Sequence, residues 1–140
     1  MLDINKQNMK YSLQGEKVTI YERDENRDIK YIEVAGEKIP VVLRETTGFS
    51  EPVYFSANIS NKLSEVLVKE FGIDDSSSYC QIVTDKGYLP VKAGDVIWKK
   101  SDVGRDSDGL VDDKTADYVV KGVADEGLTV DLFLLQKTVK

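Results

Sequence analysis

Short apolar stretches, each bounded by turn residues, recur along most of this 140-residue chain. In residues 16–22 apolar side chains alternate with polar ones, so that Val18 and Ile20 share one face, as in a half-buried β-strand. Further stretches of this kind cover residues 29–34, 39–43, 53–57, 79–84, 96–98, 118–123 and 128–135. Because short strands with one apolar face and tight turns form sandwiches or barrels, the sequence predicts a mainly β fold. We expect a small β-barrel or sandwich of about eight short strands.

One segment, about residues 60–71, has the spacing of an α-helix. Its apolar stripe consists of Leu63, Val66, Leu67 and Phe71. Ser60 or Asn61 is expected to cap the first turn, since their side-chain oxygens can accept hydrogen bonds from unpaired backbone N–H groups. Gly72 is expected to end the helix in the left-handed conformation that glycine adopts at little cost. A hydrophilic linker is expected over residues 74–78.

The chain length fits one domain. We expect residues 1–15 to form an N-terminal arm, either frayed or ordered only against a partner, and residues 16–140 to form a single β-barrel domain. Residues 29–34 are interpreted as the return strand of a hairpin that begins with residues 16–22, and residues 39–43 as a third strand. The sequence thus predicts that the domain opens with a meander.

The charge and the residue types exclude several classes of function. With 19 basic and 25 acidic residues the formal net charge is −6, which argues against non-specific nucleic-acid binding, because that binding needs clustered Lys and Arg. The chain has no histidine, which removes the common zinc sites and the Ser-His and Cys-His catalytic pairs. The single cysteine, Cys80, permits no internal disulfide and is expected to be a small buried hydrophobe. We expect neither a metal nor a cofactor.

The acidic residues form no recognisable catalytic pair. Most Asp and Glu residues fall in turns, where they are common, whereas a glycosidase-like pair needs a buried carboxyl group. Asp131 is the one acidic residue inside an apolar run, and we expect it to be exposed because it falls on the polar phase of the alternation. No phosphate-binding glycine motif is present. We therefore expect that the protein is not an enzyme.

The sequence contains no run of about 18 apolar residues that would span a membrane. Residues 1–6 lack the apolar core of a signal peptide. We expect the protein to be made and kept in a reducing cytoplasm, without a membrane partner.

The longest polar interruption is a loop at about residues 99–115, and long loops in compact domains are usually functional or disordered. A calcium site is one hypothesis for this loop, but the EF-hand spacing does not fit. With Asp106 in the first position, Gly109 falls at the fourth position, whereas the motif needs glycine at the sixth. Trp98, beside the loop, is expected in the barrel core, with an interface anchor as the alternative. We predict that the loop faces a channel or a partner through Lys99, Lys100, Asp102, Arg105, Asp106, Asp108, Asp112 and Asp113.

The last third of the chain combines a Gly94-Asp95 turn into a short strand, an interruption, a tyrosine-containing strand over residues 117–123 and an apolar closing strand over residues 128–132. This order, over about residues 88–136, resembles the head–tail joining or head-closure (stopper) proteins of long-tailed bacteriophages. An acidic, lysine-rich, histidine-free chain is also similar to the structural proteins of phages that infect low-GC Gram-positive bacteria.

The resemblance implies a structural virion protein that forms a ring of about six or twelve copies at the head–tail connector. The implied partners are further copies of the chain, the portal or adaptor protein, a tail protein and the end of the packaged DNA. The loop at residues 99–115 would project inward and close the portal channel, and the protein would be found in the virion after assembly in the host cytoplasm. The alternative is a monomeric β-barrel that binds a small ligand or a peptide in an apolar pocket.

Overall fold

The computed structural model describes residues 6–73 and 78–139, and it confirms a mainly β fold with one α-helix in these ranges. The strands are β1 (Gln7–Ser12), β2 (Glu16–Tyr21), β3 (Tyr31–Val34), β4 (Glu37–Pro40), β5 (Val42–Gly48), β6 (Val53–Ser60), β7 (Tyr79–Asp85), β8 (Val96–Trp98), β9 (Tyr118–Ala124) and β10 (Val130–Lys137). The helix α1 spans Glu65–Phe71, and a 3-10 helix spans Asp113–Thr115. The strands outnumber the predicted eight because β1 was not expected and because residues 39–43 divide between β4 and β5.

Six of the strands close into a barrel in the order β1-β6-β7-β10-β9-β8, with antiparallel pairing throughout. β9 and β10, which cover the predicted strands at residues 118–123 and 128–135, pair as a closing hairpin. Inward side chains fill the interior, and the main buried cluster consists of Met9, Phe55, Ala57, Cys80, Ile82, Leu89, Val91, Ile97, Val120, Phe133 and Leu135. The barrel is therefore a packed core.

The other four strands lie outside the barrel in two ribbons of two strands each, and we call residues 16–48 the β-arm. β2 pairs with β5, and β3 pairs with β4. The predicted hairpin between residues 16–22 and 29–34 forms only beside its turn, where Arg23 bridges Ile29 and the Lys30 N–H donates to the Glu22 carbonyl at 2.8 Å. The ladders of β2 and β3 go to other strands, so the predicted meander is wrong. β3 instead returns through the tight turn Ala35-Gly36, in which both residues have positive φ. Such a two-residue turn matches the natural twist of a hairpin, so the local partner of β3 is favoured.

The predicted N-terminal arm needs a similar correction. Residues 7–12 form β1, which pairs with β6 and β8 inside the barrel, because Met9 points into the core and is only 2% exposed. Asp95 then fixes the place where the chain leaves the barrel: its Oδ1 accepts a hydrogen bond from the Gln14 N–H at 2.7 Å, and its Oδ2 accepts one from the Lys92 N–H at 2.8 Å. Residues 1–5 of the predicted arm lie outside the described residues.

The helix begins later than predicted, because β6 continues to Ser60 in its ladder with β7. The N-cap is Ser64, whose side chain accepts a hydrogen bond from the Leu67 N–H at 3.5 Å, and not Ser60 or Asn61. Gly72 ends the helix at φ +62°, as predicted. Residues 74–77, in the predicted linker, lie outside the described residues.

The helix packs one side onto the outside of the barrel. Leu67 is fully buried and lies in a cluster with Leu63, Ala124 and Leu134. Val66 is 53% exposed, so its predicted place in the buried stripe is wrong. Within residues 6–73 and 78–139 there is no helix with the length and apolar character needed to cross a membrane.

Candidate functional site

The loop between β8 and β9 is held at its base by the carboxylate of Asp117. Its Oδ2 accepts hydrogen bonds from the backbone N–H groups of Lys99, Lys100 and Ser101 at 2.8, 2.9 and 3.0 Å. Its Oδ1 accepts a hydrogen bond from Ser101 Oγ at 2.7 Å. Because hydrogen bonds to an ionised acceptor are stronger than neutral ones, this carboxylate determines how the loop leaves β8.

Two aspartates that the sequence predicts to face a partner also hold the loop's own backbone. Asp106 Oδ1 accepts hydrogen bonds from the N–H groups of Asp108 and Leu110 at 2.9 and 3.0 Å. Asp112 Oδ1 accepts one from the Lys114 N–H at 3.1 Å and caps the 3-10 helix. These are the local side-chain-to-backbone bonds that aspartate commonly makes in turns. The loop therefore has a defined conformation.

The inner side of the loop covers a second apolar cluster. Val111 and Ala116 pack with Val96, Trp98 and the partly buried Phe49. Trp98 is 1% exposed, so it is buried as predicted, but it lies in this second cluster and not in the barrel core, where Ile97 of the same strand points. Its Nε1–H donates to Thr115 Oγ1 at 3.1 Å.

Arg105 links the loop to Glu51, in the segment between the β-arm and β6. Its Nη1 lies 2.9 Å from Glu51 Oε1, and its Nη2 lies 2.6 Å from Glu51 Oε2. The hydrogen bond from Arg105 lowers the pKa of Glu51, and the same bond raises the pKa of Arg105. Both side chains are exposed, so the ion pair contributes at most about 1 kcal/mol.

The remaining candidate residues of the loop differ in exposure. Lys100, Asp102 and Asp113 are exposed to solvent, whereas Lys99 and Asp108 are partly buried. In the part of the chain that the structure describes, no group of three or more His, Cys, Asp or Glu residues is placed to hold a metal ion. The three exposed residues are those whose side chains can meet a partner without disturbing the loop.

The tip of the β-arm, defined here as residues 27–45, presents an apolar face to solvent. Ile32 lies opposite Ile39 in the β3–β4 ladder, and Val34 shares their face because alternate residues of a strand point the same way. Ile32, Val34 and Ile39 are 54%, 49% and 42% exposed. Glu33 and Lys38 lie opposite each other on the other face. Alternation predicts strands here, but it contains no signal that the apolar face stays uncovered.

A surface groove of about 350 Å³ lies on the barrel wall, and we call it the tyrosine groove. It is lined by Asn8, Tyr54, Phe55, Ser56 and Tyr88. Tyr54 and Tyr88 are 75% and 52% exposed. Tyr88 Oη accepts a hydrogen bond from the Ser56 N–H at 3.3 Å, and Lys10 Nζ lies 5.1 Å from the centre of the Tyr54 ring. The groove thus combines aromatic walls with a cationic rim.

Two groups of the barrel itself have no arrangement suited to catalysis. Cys80 is buried as predicted, and burial raises the pKa of its thiol to about 11, so little thiolate forms at neutral pH. Asp131 is only 6% exposed, and the prediction that it is exposed is wrong. The turn after β7 folds over Asp131: the Gly87 N–H donates to its Oδ2 at 2.9 Å, and Lys86 Nζ lies 3.7 Å from its Oδ1. Asp131 therefore stabilises a turn.

Comparison with known proteins finds no relative of this chain. No family model matches the chain, and no curated protein or solved structure matches it. Any account of its function therefore depends on the geometry of the loop, the β-arm and the tyrosine groove.

Proposed function

We propose that this protein is a structural component of a tailed-phage virion, which forms a ring at the head–tail connector, closes the portal channel and receives the tail. The observation that carries the proposal is a filled barrel with two additions on its outside, the ribbons of the β-arm and the polar loop at residues 99–115. The likeness of residues 88–136 to head-closure proteins supplies the location in the virion.

The filled barrel supports a scaffold role. Residues from every barrel strand occupy the interior. Three clefts of about 320–350 Å³ lie at the surface: the tyrosine groove, a cleft between β2 and the loop, and a cleft between Tyr54 and Arg105. Small-molecule sites are usually deep enough to bury most of the ligand. The filled interior offers no internal ligand site among the described residues, so the monomeric alternative would have to use a surface groove such as the tyrosine groove.

The loop has properties that suit the closing of a channel. Asp117 holds its base, the Trp98 cluster supports its inner side, and Asp102 and Asp113 are exposed. Aspartates in a channel would repel DNA phosphates, and a ring places one copy of the loop per subunit around the axis, so that weak effects add up. The basic residues Lys99 and Lys100 lie at the base of the same loop.

The proposal is tested by combining the purified chain with the portal ring of the same genome. We expect negative-stain electron microscopy to show a ring of the chain stacked on the portal, and DNA-filled heads to retain their DNA when the chain is added. The triple variant Lys100→Ser, Asp102→Ser, Asp113→Ser should keep the melting temperature of the natural chain and still form a ring on the portal. DNA-filled heads to which this variant is added should retain less DNA. A chain that neither stacks on the portal nor changes DNA retention contradicts the proposal.

A further inference from the structure

We propose that the tip of the β-arm of one copy binds in the tyrosine groove of the next copy, head to tail, with the apolar face of Ile32, Val34 and Ile39 against Tyr54 and Tyr88. This inference rests on the proposed function, since it names the contact that joins one subunit of the ring to the next.

The apolar face of the tip has the area of a weak contact surface. Ile32, Val34 and Ile39 share this face and are 54%, 49% and 42% exposed, whereas Tyr31 lies opposite Pro40, on the other face of the ribbon. Three side chains of this size that are about half exposed leave roughly 250 Å² in solvent, close to the size of a small apolar patch. An equal area on the partner gives a total of roughly 500 Å², below the roughly 1,000 Å² of a specific interface. Such a contact is weak alone and is strengthened when a closed ring repeats it.

The charge of the tip favours a second copy of this acidic chain as the partner. Residues 27–45 hold four basic and four acidic residues, so their net charge is zero, and the whole −6 of the chain is carried by other residues. A neutral surface can approach another acidic molecule without like-charge repulsion. A strongly charged partner, by contrast, would find no opposite net charge on the tip to attract it.

The groove complements the tip in shape and in charge. The tip is a projecting hairpin, and the groove is a concave surface with exposed aromatic walls, the residue type that is enriched at interface centres. Glu37 lies opposite Val34, on the face of the tip that carries Ile32 and Ile39, and Lys10 Nζ lies over the ring of Tyr54, which lines the groove. An acidic group on the tip and a basic group at the rim would set the register of the contact.

The contact joins two different surfaces, so it is heterologous. None of the residues that line the groove belongs to the β-arm, and the tip remains exposed within one copy, so the tip does not occupy its own groove. A heterologous contact repeats from copy to copy and closes into a ring when the rotation permits. Pairing of two tips would instead produce an isologous dimer and would leave the groove unused.

The test uses the full chain and three variants. The tip variant is Ile32→Ser with Ile39→Ser, the groove variant is Tyr54→Ala, and the control is Leu128→Ser, which removes a 95% exposed apolar side chain outside both surfaces. We expect mass photometry to show concentration-dependent rings for the natural chain and the control. Self-association should weaken at least tenfold in the tip and groove variants, each of which should keep the melting temperature of the natural chain.

Mixing the tip variant with the groove variant separates the two geometries. One intact tip and one intact groove remain, so the mixture should form dimers and no larger species. Chains carrying Val34→Cys and Tyr54→Cys, mixed and treated with a short bismaleimide, should cross-link to each other more than either does to itself. Dimers that depend on the tip but not on Tyr54 would point to tip pairing and overturn the inference.

The outcomes also separate this inference from the proposed function. Rings that survive both the tip and the groove substitutions overturn the inference and leave the ring proposal standing. Open filaments that depend on Ile32 and Tyr54 support the inference and contradict a closed ring. A chain that stays monomeric at all concentrations and in the presence of the portal contradicts both.

Discussion

The barrel and the tip of the β-arm are built from the same kind of strand, yet their apolar faces have opposite environments. In β10, Phe133 and Leu135 are at most 1% exposed, whereas in β3 Ile32 is 54% exposed. β10 has neighbours on both sides, and opposing barrel strands cover its inner face, but β3 pairs only with β4. The β3–β4 ribbon has no second layer over its face, and a two-stranded ribbon is marginally stable alone. In the equally two-stranded β2–β5 ribbon, by contrast, Ile20 is 2% exposed. Alternation therefore specifies a face, and whatever packs against that face decides whether it is buried.

This difference predicts how stability is distributed. The barrel should unfold as one cooperative unit, because its strands share a single interior. The tip of the β-arm should open at lower free energy, since few buried contacts restrain it. Binding of a second copy is then the event that would order the tip.

The largest expected contrast comes from truncating one apolar side chain in each region. Phe133→Ala should lower the free energy of unfolding by about 3–5 kcal/mol, because it leaves a cavity in the packed interior. Ile39→Ala, at the tip, should change it by no more than about 0.5 kcal/mol. Urea denaturation at low protein concentration, where the chain is monomeric, measures both. Equal losses would mean that the tip is covered within a single copy.

A smaller effect is expected in the loop, which is polar like much of the β-arm but is held by the barrel. Asp117→Ala should cost about 2 kcal/mol, because the N–H groups of Lys99, Lys100 and Ser101 lose their acceptor. Asp113→Ala, in the same loop but exposed, is the matched control and should be nearly neutral. If the two variants unfold at the same urea concentration, the loop is not held by Asp117.

The smallest effect concerns the ion pair between Arg105 of the loop and Glu51, in the segment between the β-arm and β6. The pKa of Glu51 is lower in the folded chain than in the unfolded one, so the stabilisation is fully present above the unfolded pKa, near 4.3, and is lost as the pH falls through the folded value. Arg105→Gln should therefore cost at most about 1 kcal/mol at pH 7 and less at pH 3.

Thermal unfolding of the natural chain and of Arg105→Gln across this pH range measures the change, and added salt should reduce the difference at pH 7. Glu51→Gln serves as the control, since it removes the titrating group itself. A difference between Arg105→Gln and the natural chain that grows on acidification would contradict this assignment.

Several parts of the fold could be predicted because local residues alone determine them. The end of the helix at Gly72 depends on the backbone freedom of glycine. The short apolar strands from β6 onward and the burial of Trp98 and Cys80 follow from alternation and composition.

Other parts depend on contacts between residues distant in sequence. β2 pairs with β5 and not with β3, and the start of the helix is delayed by the ladder between β6 and β7. Asp131 is on the polar phase of its strand, but the turn after β7 covers it. Strand pairing and burial of this kind are decided by the whole set of neighbours, which a single stretch of sequence does not contain.

In the candidate site, too, some features are local and others depend on contacts between distant residues. The sequence predicts a long polar loop at residues 99–115, but the structure shows that Asp106 and Asp112 hold its backbone and that Arg105 binds Glu51. No sequence pattern predicts the exposed apolar face of the tip or the tyrosine groove, because apolar residues alternate with polar ones in the same way whether their face is exposed or buried.

By itself, the sequence determined that this chain forms short strands, one helix and tight turns, because periodicity and glycine act within a few residues. Only the tertiary structure decided which strands close the barrel and which remain outside as the β-arm. The reason is that an apolar face is buried when other strands cover it, and those strands lie far away along the chain.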